Sequence, residues 1–187
     1  GDLYIDDAFS AAHRAHASIE ALAHLLPNAA GKLMQAELEA LGAALEHPQK
    51  PVMALVGGSK VSTKLDLLKF IISKVDRVAI GGAMANTFLA AQGRPIGRSL
   101  SEPDLLETAR EIMYAAADRG CSVILPDDAV TAEKLEPGVM TRTVGVTAVP
   151  MNAMILDVGP QTVHSIISAL SGSRTLIWNG PIGAFET

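Results

Sequence analysis

Residues 51–64 read PVMALVGGSKVSTK. An apolar run from Val52 to Val56 stops at Gly57-Gly58-Ser59, and Lys60 and Lys64 follow one helical turn apart. Glycines after a buried strand let backbone amides approach an anion closely, and a helix start beyond them favours negative charge. Cations crowded at that end are unfavourable unless something anionic sits among them. The stretch is therefore read as a strand, a phosphate-facing turn and a helix. It is not a Walker A loop, because GxxxxGK[ST] is absent, and the two lysines would equally suit a solvated face with snorkelling side chains.

Working outward, the same design recurs in RVAIGG, SVILPDD, MILDVGP and TLIWNGP. Each is a short run rich in β-branched residues that ends in Gly, Pro, Asp or Asn. Segments 62–74, 84–92, 129–134 and 162–170 follow the first four runs and are expected to be helical, and a longer helix is expected over 103–119. Continuous apolar runs alternating with helices fit strands buried on both faces of a parallel sheet. The fold class is thus α/β, a doubly wound parallel sheet of Rossmann-like type over 48–187. Such sheets bind ligands beyond the carboxyl ends of their strands, and here those ends carry Gly, Asp, Asn or Lys.

Residues 1–31 read as a strand (DLYI) and a partly helical segment over 10–24, a remnant of a second domain. Residues 32–47 then form an amphipathic connector helix, with Leu33, Met34, Leu38, Leu41 and Leu45 on one broad face and His47-Pro48 as its stop. The chain opens without Met and closes soon after a strand, so a piece of something longer is expected.

Composition narrows the class. At 49% hydrophobic and 19% charged the 187 residues are globular, and a net charge of −5 argues against a nucleic-acid binder. One cysteine, Cys121, excludes a disulfide framework and a cysteine metal site; it reads as a small apolar residue at a strand start. No run reaches membrane-spanning length and no signal peptide is present, so a cytoplasmic home without membrane partners is expected. No His/Asp spacing resembles a metal site.

Other candidates are weaker alone. Gly81-Gly82-Ala83-Met84 could be a packing turn or a backbone-lined slot for a base. Gly159-Pro160 and Asn179-Gly180-Pro181-Ile182-Gly183 could be ordinary turns, and Glu186 an exposed carboxylate or a ribose ligand. His13, Arg14 and His16 in AFSAAHRAHAS suit an anion, since Arg binds carboxylate or phosphate through two parallel bonds, but they also suit a half-exposed helix.

AHRAHAS, GGSKVSTK, GGAMANTF, LDVGP and WNGPIGAFE occur in this order, and with them the chain resembles bacterial phosphoglycerate kinases from end to end, over roughly half of a full enzyme. The resemblance implies reversible phosphoryl transfer between 1,3-bisphosphoglycerate and ADP, giving 3-phosphoglycerate and ATP, with Mg2+ accompanying the nucleotide. By motif, Lys60 matches the lysine that follows the transferring phosphoryl group, and Lys64 one that binds nucleotide phosphates. Gly58 and Ser59 line the same turn, and Gly81 and Gly82 fall at the adenine slot. Gly159, Asn179, Pro181, Gly183 and Glu186 match the remaining nucleotide turns, with Glu186 at the ribose. Arg14 matches the phosphoglycerate patch, flanked by His13 and His16.

Ala83 departs from the family, which commonly has a third glycine there. The resemblance also places the metal-binding Asp and most of the basic patch outside these residues. It implies a monomer, while a fragment could pair through open sheet edges. Two other readings stand beside it: a non-catalytic nucleotide-binding module, and a dinucleotide oxidoreductase that lacks the GxGxxG fingerprint.

Overall fold

The structure, a computed structural model, describes residues 1–185, and Glu186 therefore lies outside the described residues. The chain divides into two compact units, Gly1–Pro48 and Gln49–Thr187.

In the first unit β1 (Tyr4–Asp6) leads through a 3-10 turn at Phe9–Ala11 and a π turn at Ala17–Ala21 into α1 (Leu22–Leu25) and β2 (Asn28–Ala30). β1 and β2 pair in parallel, Tyr4 opposite Asn28 and Asp6 opposite Ala30. The segment expected to be partly helical over 10–24 is helical in its second half, from Ala17 to Leu25, after the 3-10 turn. None of these short elements buries a residue or has a side-chain cap, so nothing offsets the cost of nucleating a longer helix. α2 (Lys32–Leu45) fares better because Asp7 Oδ1 accepts the Met34 amide at 2.8 Å, capping the helix from another part of the chain. Of its apolar face, Met34 is buried while Leu33, Leu38 and Leu41 are exposed.

The second unit is built on a parallel sheet. β3 (Val52–Val56) leads to α3 (Leu65–Ile71), β4 (Arg77–Ile80) and α4 (Gly82–Ala91). A 3-10 turn at Pro103–Leu105 opens α5 (Leu106–Asp118), which returns to β5 (Ser122–Ile124). β6 (Asp128–Ala132), β7 (Arg142–Gly145) and β8 (Met154–Val158) follow, then α6 (Pro160–Ser171), which has proline at its first position, and β9 (Thr175–Asn179). The parallel sheet has the order β5-β4-β3-β9.

Two sequence expectations need correction here. Segment 129–134, expected to be helical, is strand: β6 carries β-branched Val130 and Thr131, and Ala129, Thr131 and Ala132 are buried, which a surface helix would not achieve. MILDVGP does form a strand, β8, but it joins no parallel sheet. It pairs antiparallel with β6 in a separate sheet of order β7-β6-β8, with an irregularity between Val130 and Thr131.

β3 is buried along its whole length, and its side chains split by parity. Val52, Ala54 and Val56 pack with Leu68 of α3, Met84 and Phe88 of α4, and Ile112 of α5. Met53 and Leu55 face the other way, onto Ile166 and Leu170 of α6. Helices therefore cover both faces of the sheet, as a doubly wound fold requires. Each fully buried large side chain adds about 1.5–3 kcal/mol. Among the described residues no helix is long and apolar enough to cross a membrane.

β6 is tied to the start of α6 by Asp128, which is 6% exposed. Its carboxylate accepts the Gln161 amide at 3.0 Å, the Thr162 amide at 2.8 Å and the Thr162 hydroxyl at 2.7 Å, capping the first turn of α6. The Thr162 oxygen in turn accepts the Asp127 and Asp128 amides at 2.9 and 3.1 Å. Burial pushes the Asp128 carboxyl up, but the bonds from the Thr162 hydroxyl and the amides of Thr162 and Gln161 outweigh it and hold it below its ordinary value of 3.8.

Two outcomes follow for unfolding in urea. Leu68→Ala, at a fully buried position, is expected to cost about 2–5 kcal/mol. Asp128→Asn is expected to cost about 1–3 kcal/mol at about pH 7. Because the folded-state carboxyl is held low, its stabilisation is complete above 3.8 and fades as pH falls through the lower folded value. The difference between Asp128→Asn and wild type should therefore shrink as pH falls below 3.8; a constant difference would show that charge is not what the cap uses.

Candidate functional site

Val56 lies opposite both Ile80 of β4 and Asn179 of β9, so the three strands end side by side. The turns that follow, at 57–58, 81–82 and 180–183, are brought together by that register. Backbone bonds lace them: Gly57 N–H donates to Asn179 O at 2.9 Å, Gly81 N–H to Val56 O at 3.0 Å, Met84 N–H to Gly58 O at 2.9 Å, and Gly82 N–H to Ile182 O. A methyl on Gly57 would run into the Pro181 carbonyl. One on Gly82, whose φ is +68°, would lie 2.6 Å from Gly58 O and 2.8 Å from its nitrogen. These two positions require glycine because main chains touch there directly.

The lysines sit differently from their expected helical spacing. α3 begins only at Leu65, with Lys64 as its N-cap, and Lys60 stands in the preceding turn. That turn closes on itself through the Lys64 amide to Val61 O at 2.9 Å and the Thr63 hydroxyl to Lys60 O at 3.0 Å, and the buried Val61 side chain anchors it. Lys64 Nζ donates to Gly57 O at 2.5 Å, to Asn179 Oδ1 at 2.6 Å and to Asn179 O at 3.4 Å. Its partners are neutral oxygens, and burial lowers its pKa. An ammonium solvated only by dipoles while partly desolvated gains from an added anion. Lys60 is exposed, and among the described residues neither lysine forms an ion pair with a carboxylate.

Beside the lysines opens a cleft of 480 Å³. Its rim is Gly58, Ser59, Gly82 and Gly183, and its floor is Leu135, Met154, Leu156 and Phe185. Ala83 and Pro181 complete the wall. A backbone rim with cations suits phosphate oxygens, and an apolar floor suits a flat ring. The Ala184 amide, bonded to Leu156 O at 2.8 Å, ties the last turn to β8, and the Trp178 indole N–H does the same for Gly180 O at 2.9 Å within its own turn.

The other sequence candidates fall outside this cleft. Gly159 is buried; its amide donates to Asp128 O at 3.0 Å, and the Asp128 carboxylate fills the space a side chain would take. His13 and Arg14 belong to the first unit, where they are exposed in a turn closed by the Arg14 amide on Ala11 O at 3.0 Å. Cys121 is buried, and desolvation, helped by the Asp76 charge, pushes its thiol up to about 11, far from a thiolate nucleophile. Among the described residues no group of three or more His, Cys, Asp or Glu could hold a metal ion. Sequence reasoning missed the apolar floor and one carboxylate, Glu102, bonded to Ser62. None of these has a local spacing signal, because each meets the site from a distant part of the chain.

Comparison with known proteins adds an independent line. The sequence model of the phosphoglycerate kinase family matches residues 1–187. A phosphoglycerate kinase of Chelativorans sp. (strain BNC1) is 61% identical over 186 residues, covering 100% of this chain and 47% of that protein. One from Rhodospirillum centenum is 58% identical with the same coverage. The solved phosphoglycerate kinase of Coxiella burnetii matches with a TM-score of 0.90 at 45% identity, covering 99% of this chain and 48% of its own. The chain spans about half the length of the curated relatives it matches. With the family model matched from first residue to last and the fold shared with a solved member, the chain belongs to the phosphoglycerate kinase family.

Proposed function

We propose that the whole protein is a phosphoglycerate kinase and that this chain supplies its nucleotide-phosphate half. The observation that carries the reading is Lys64, cradled by Gly57 and Asn179 where three glycine turns converge, with the exposed Lys60 one residue beyond Ser59 of the cleft rim. Residues 1–31 would then close the phosphoglycerate-binding domain, 32–47 would form the interdomain helix, and 48–187 would belong to the nucleotide domain. The protein would act as a cytoplasmic monomer.

In the reaction, the bond between phosphorus and the acyl oxygen of 1,3-bisphosphoglycerate breaks as one forms to a terminal phosphate oxygen of ADP. The products are the 3-phosphoglycerate carboxylate and ATP. Such transfer needs little covalent help, and fixed cations and amides stabilise charge on the equatorial oxygens. Lys64 holds the nucleotide phosphates, and Lys60 accompanies the group in flight. Gly58 and Ser59 present backbone to the phosphates, Gly81 and Gly82 leave room for the base, and Asn179, Pro181 and Gly183 shape the facing turn. Gly159 acts through the α6 turn it fixes, Glu186 binds the ribose, and Arg14 with His13 binds phosphoglycerate. The described side chains form no magnesium cage; the ion is proposed to arrive with the nucleotide.

In the full-length protein, Lys60→Ala is expected to lower kcat by about a hundredfold or more while changing the Kd for ADP by less than about threefold. An unchanged kcat would remove the role given to Lys60. Lys64→Ala should weaken ADP binding by about tenfold in calorimetric titration, the worth of charge-assisted bonds to phosphate. Retained affinity would place the phosphates elsewhere.

A further inference from the structure

Apart from Val61, which packs into the core, the turn that carries Lys60 is held by hydrogen bonds from one outside side chain. Glu102 Oε1 accepts the Ser62 hydroxyl at 2.5 Å, and Oε2 accepts the Ser62 amide at 3.1 Å. The Val61 amide and the Lys60 charge lie near this carboxylate. Among the described residues no other side chain from outside the turn hydrogen-bonds residues 59–63. The remaining bonds there are internal, so beyond the single point of Val61 packing nothing else fixes rotation of the turn.

Glu102 is itself fixed. Its amide donates to the Thr87 hydroxyl at 3.0 Å, and the Asn86 side-chain amide donates to Leu100 O at 3.0 Å. Asn86 and Thr87 are each 1% exposed on α4, the helix that opens at Gly82. A little earlier, the Ser99 hydroxyl receives the Ile155 amide of β8 at 2.8 Å. The segment from Ser99 to Glu102 is thus riveted to the buried core, and its last side chain reaches across 40 residues of sequence to the lysine turn.

We propose that Glu102 is a positioning residue for Lys60: its carboxylate, bound to the Ser62 hydroxyl and the Ser62 amide, fixes the direction in which Lys60 projects. The inference rests on the function proposed above. An acceptor with two oxygens suits the task because it holds an amide and a hydroxyl at once, one on each oxygen, which fixes rotation of the turn as well as its distance. Desolvation works against the charged form of Glu102, yet the Ser62 bonds, the nearby Val61 amide and the Lys60 charge prevail and hold its carboxyl below its ordinary 4.5. The carboxylate does not pair with Lys60 directly, which leaves the ammonium for another anion.

The test uses the full-length protein and reads kcat, ADP affinity, melting temperature and amide exchange of residues 59–63. Glu102→Ala should lower kcat by about tenfold, as slight misplacement of a reacting group does, with the Kd for ADP changed less than about twofold. Exchange at the Val61 and Ser62 amides should rise, and Glu102→Gln, which keeps one carbonyl acceptor, should recover part of the loss. Added to Lys60→Ala, Glu102→Ala should slow turnover no further, because both act through one group. An unchanged kcat, or losses that multiply in the double variant, would overturn the inference. If Glu102→Ala fails to fold, Ser62→Ala, which removes only an exposed hydroxyl, decides the matter on the same readouts.

The two readings fail separately. Absence of phosphoryl transfer by wild type, or full turnover by Lys60→Ala, would strike the proposed function. Glu102 would then be judged on amide exchange alone, and unchanged protection at Val61 and Ser62 would overturn its role.

Discussion

Everything at the candidate site depends on main chains meeting main chains. Strands β3, β4 and β9 end level with one another, and the turns beyond them approach until Gly57 lies against the Pro181 carbonyl and Gly82 against Gly58. At that separation no side chain can intervene. The turns therefore present amides and carbonyls, not side chains, and their rim is set by the sheet, the stiffest part of the unit. Flexible elements enter only at the edge of this frame, as Lys60 and Lys64.

The frame also explains why Lys64 is tolerated where it is. Three neutral oxygens replace part of the water it loses, so it remains a cation without a fixed counter-ion. A carboxylate in their place would have neutralised it and weakened its hold on a phosphate. Dipoles keep the ammonium in position while leaving its charge to act outward. Elsewhere in the unit, carboxylates are spent on amides: Asp128 on the first turn of α6, Glu102 on the turn at Ser62, and Asp76 on the Val52 amide at 2.7 Å. These acidic groups thus brace backbone, while Lys64 keeps its charge among neutral oxygens.

Much of this was legible in the chain. Four of the five apolar runs became neighbours in the parallel sheet, because strands buried on both faces need unbroken apolar sequence, and the GGSK and NGPIG turns fell where their glycines demanded. MILDVGP misled because an antiparallel strand with Leu156 and Ile155 half-buried has the same composition as a parallel one. Residues 129–134 misled because two alanines read as helix while Val130 and Thr131 were decided by their partners across β7 and β8. The lysine spacing suggested one helix face, yet helix begins after it, a boundary that capping alone did not mark. Glu102 and the apolar floor left no trace in spacing, since their partners lie tens of residues away. The family resemblance, by contrast, rested on five motifs in order, and the match over the whole chain bore it out.

β9 has a significance beyond its place at the margin of the sheet. Lys64 and Asn179 are 115 residues apart, so the cradle closes only after the chain between them has been threaded through two sheets and four helices. Contacts of such long range form late, once the entropy of closing the loop has been overcome. Occupancy of the cradle is therefore a report that β9 has docked beside β3: a chain without that pairing has the glycine-lysine turn but nothing opposite it. Any anion captured there binds the form with β9 in place, and by mass action favours it.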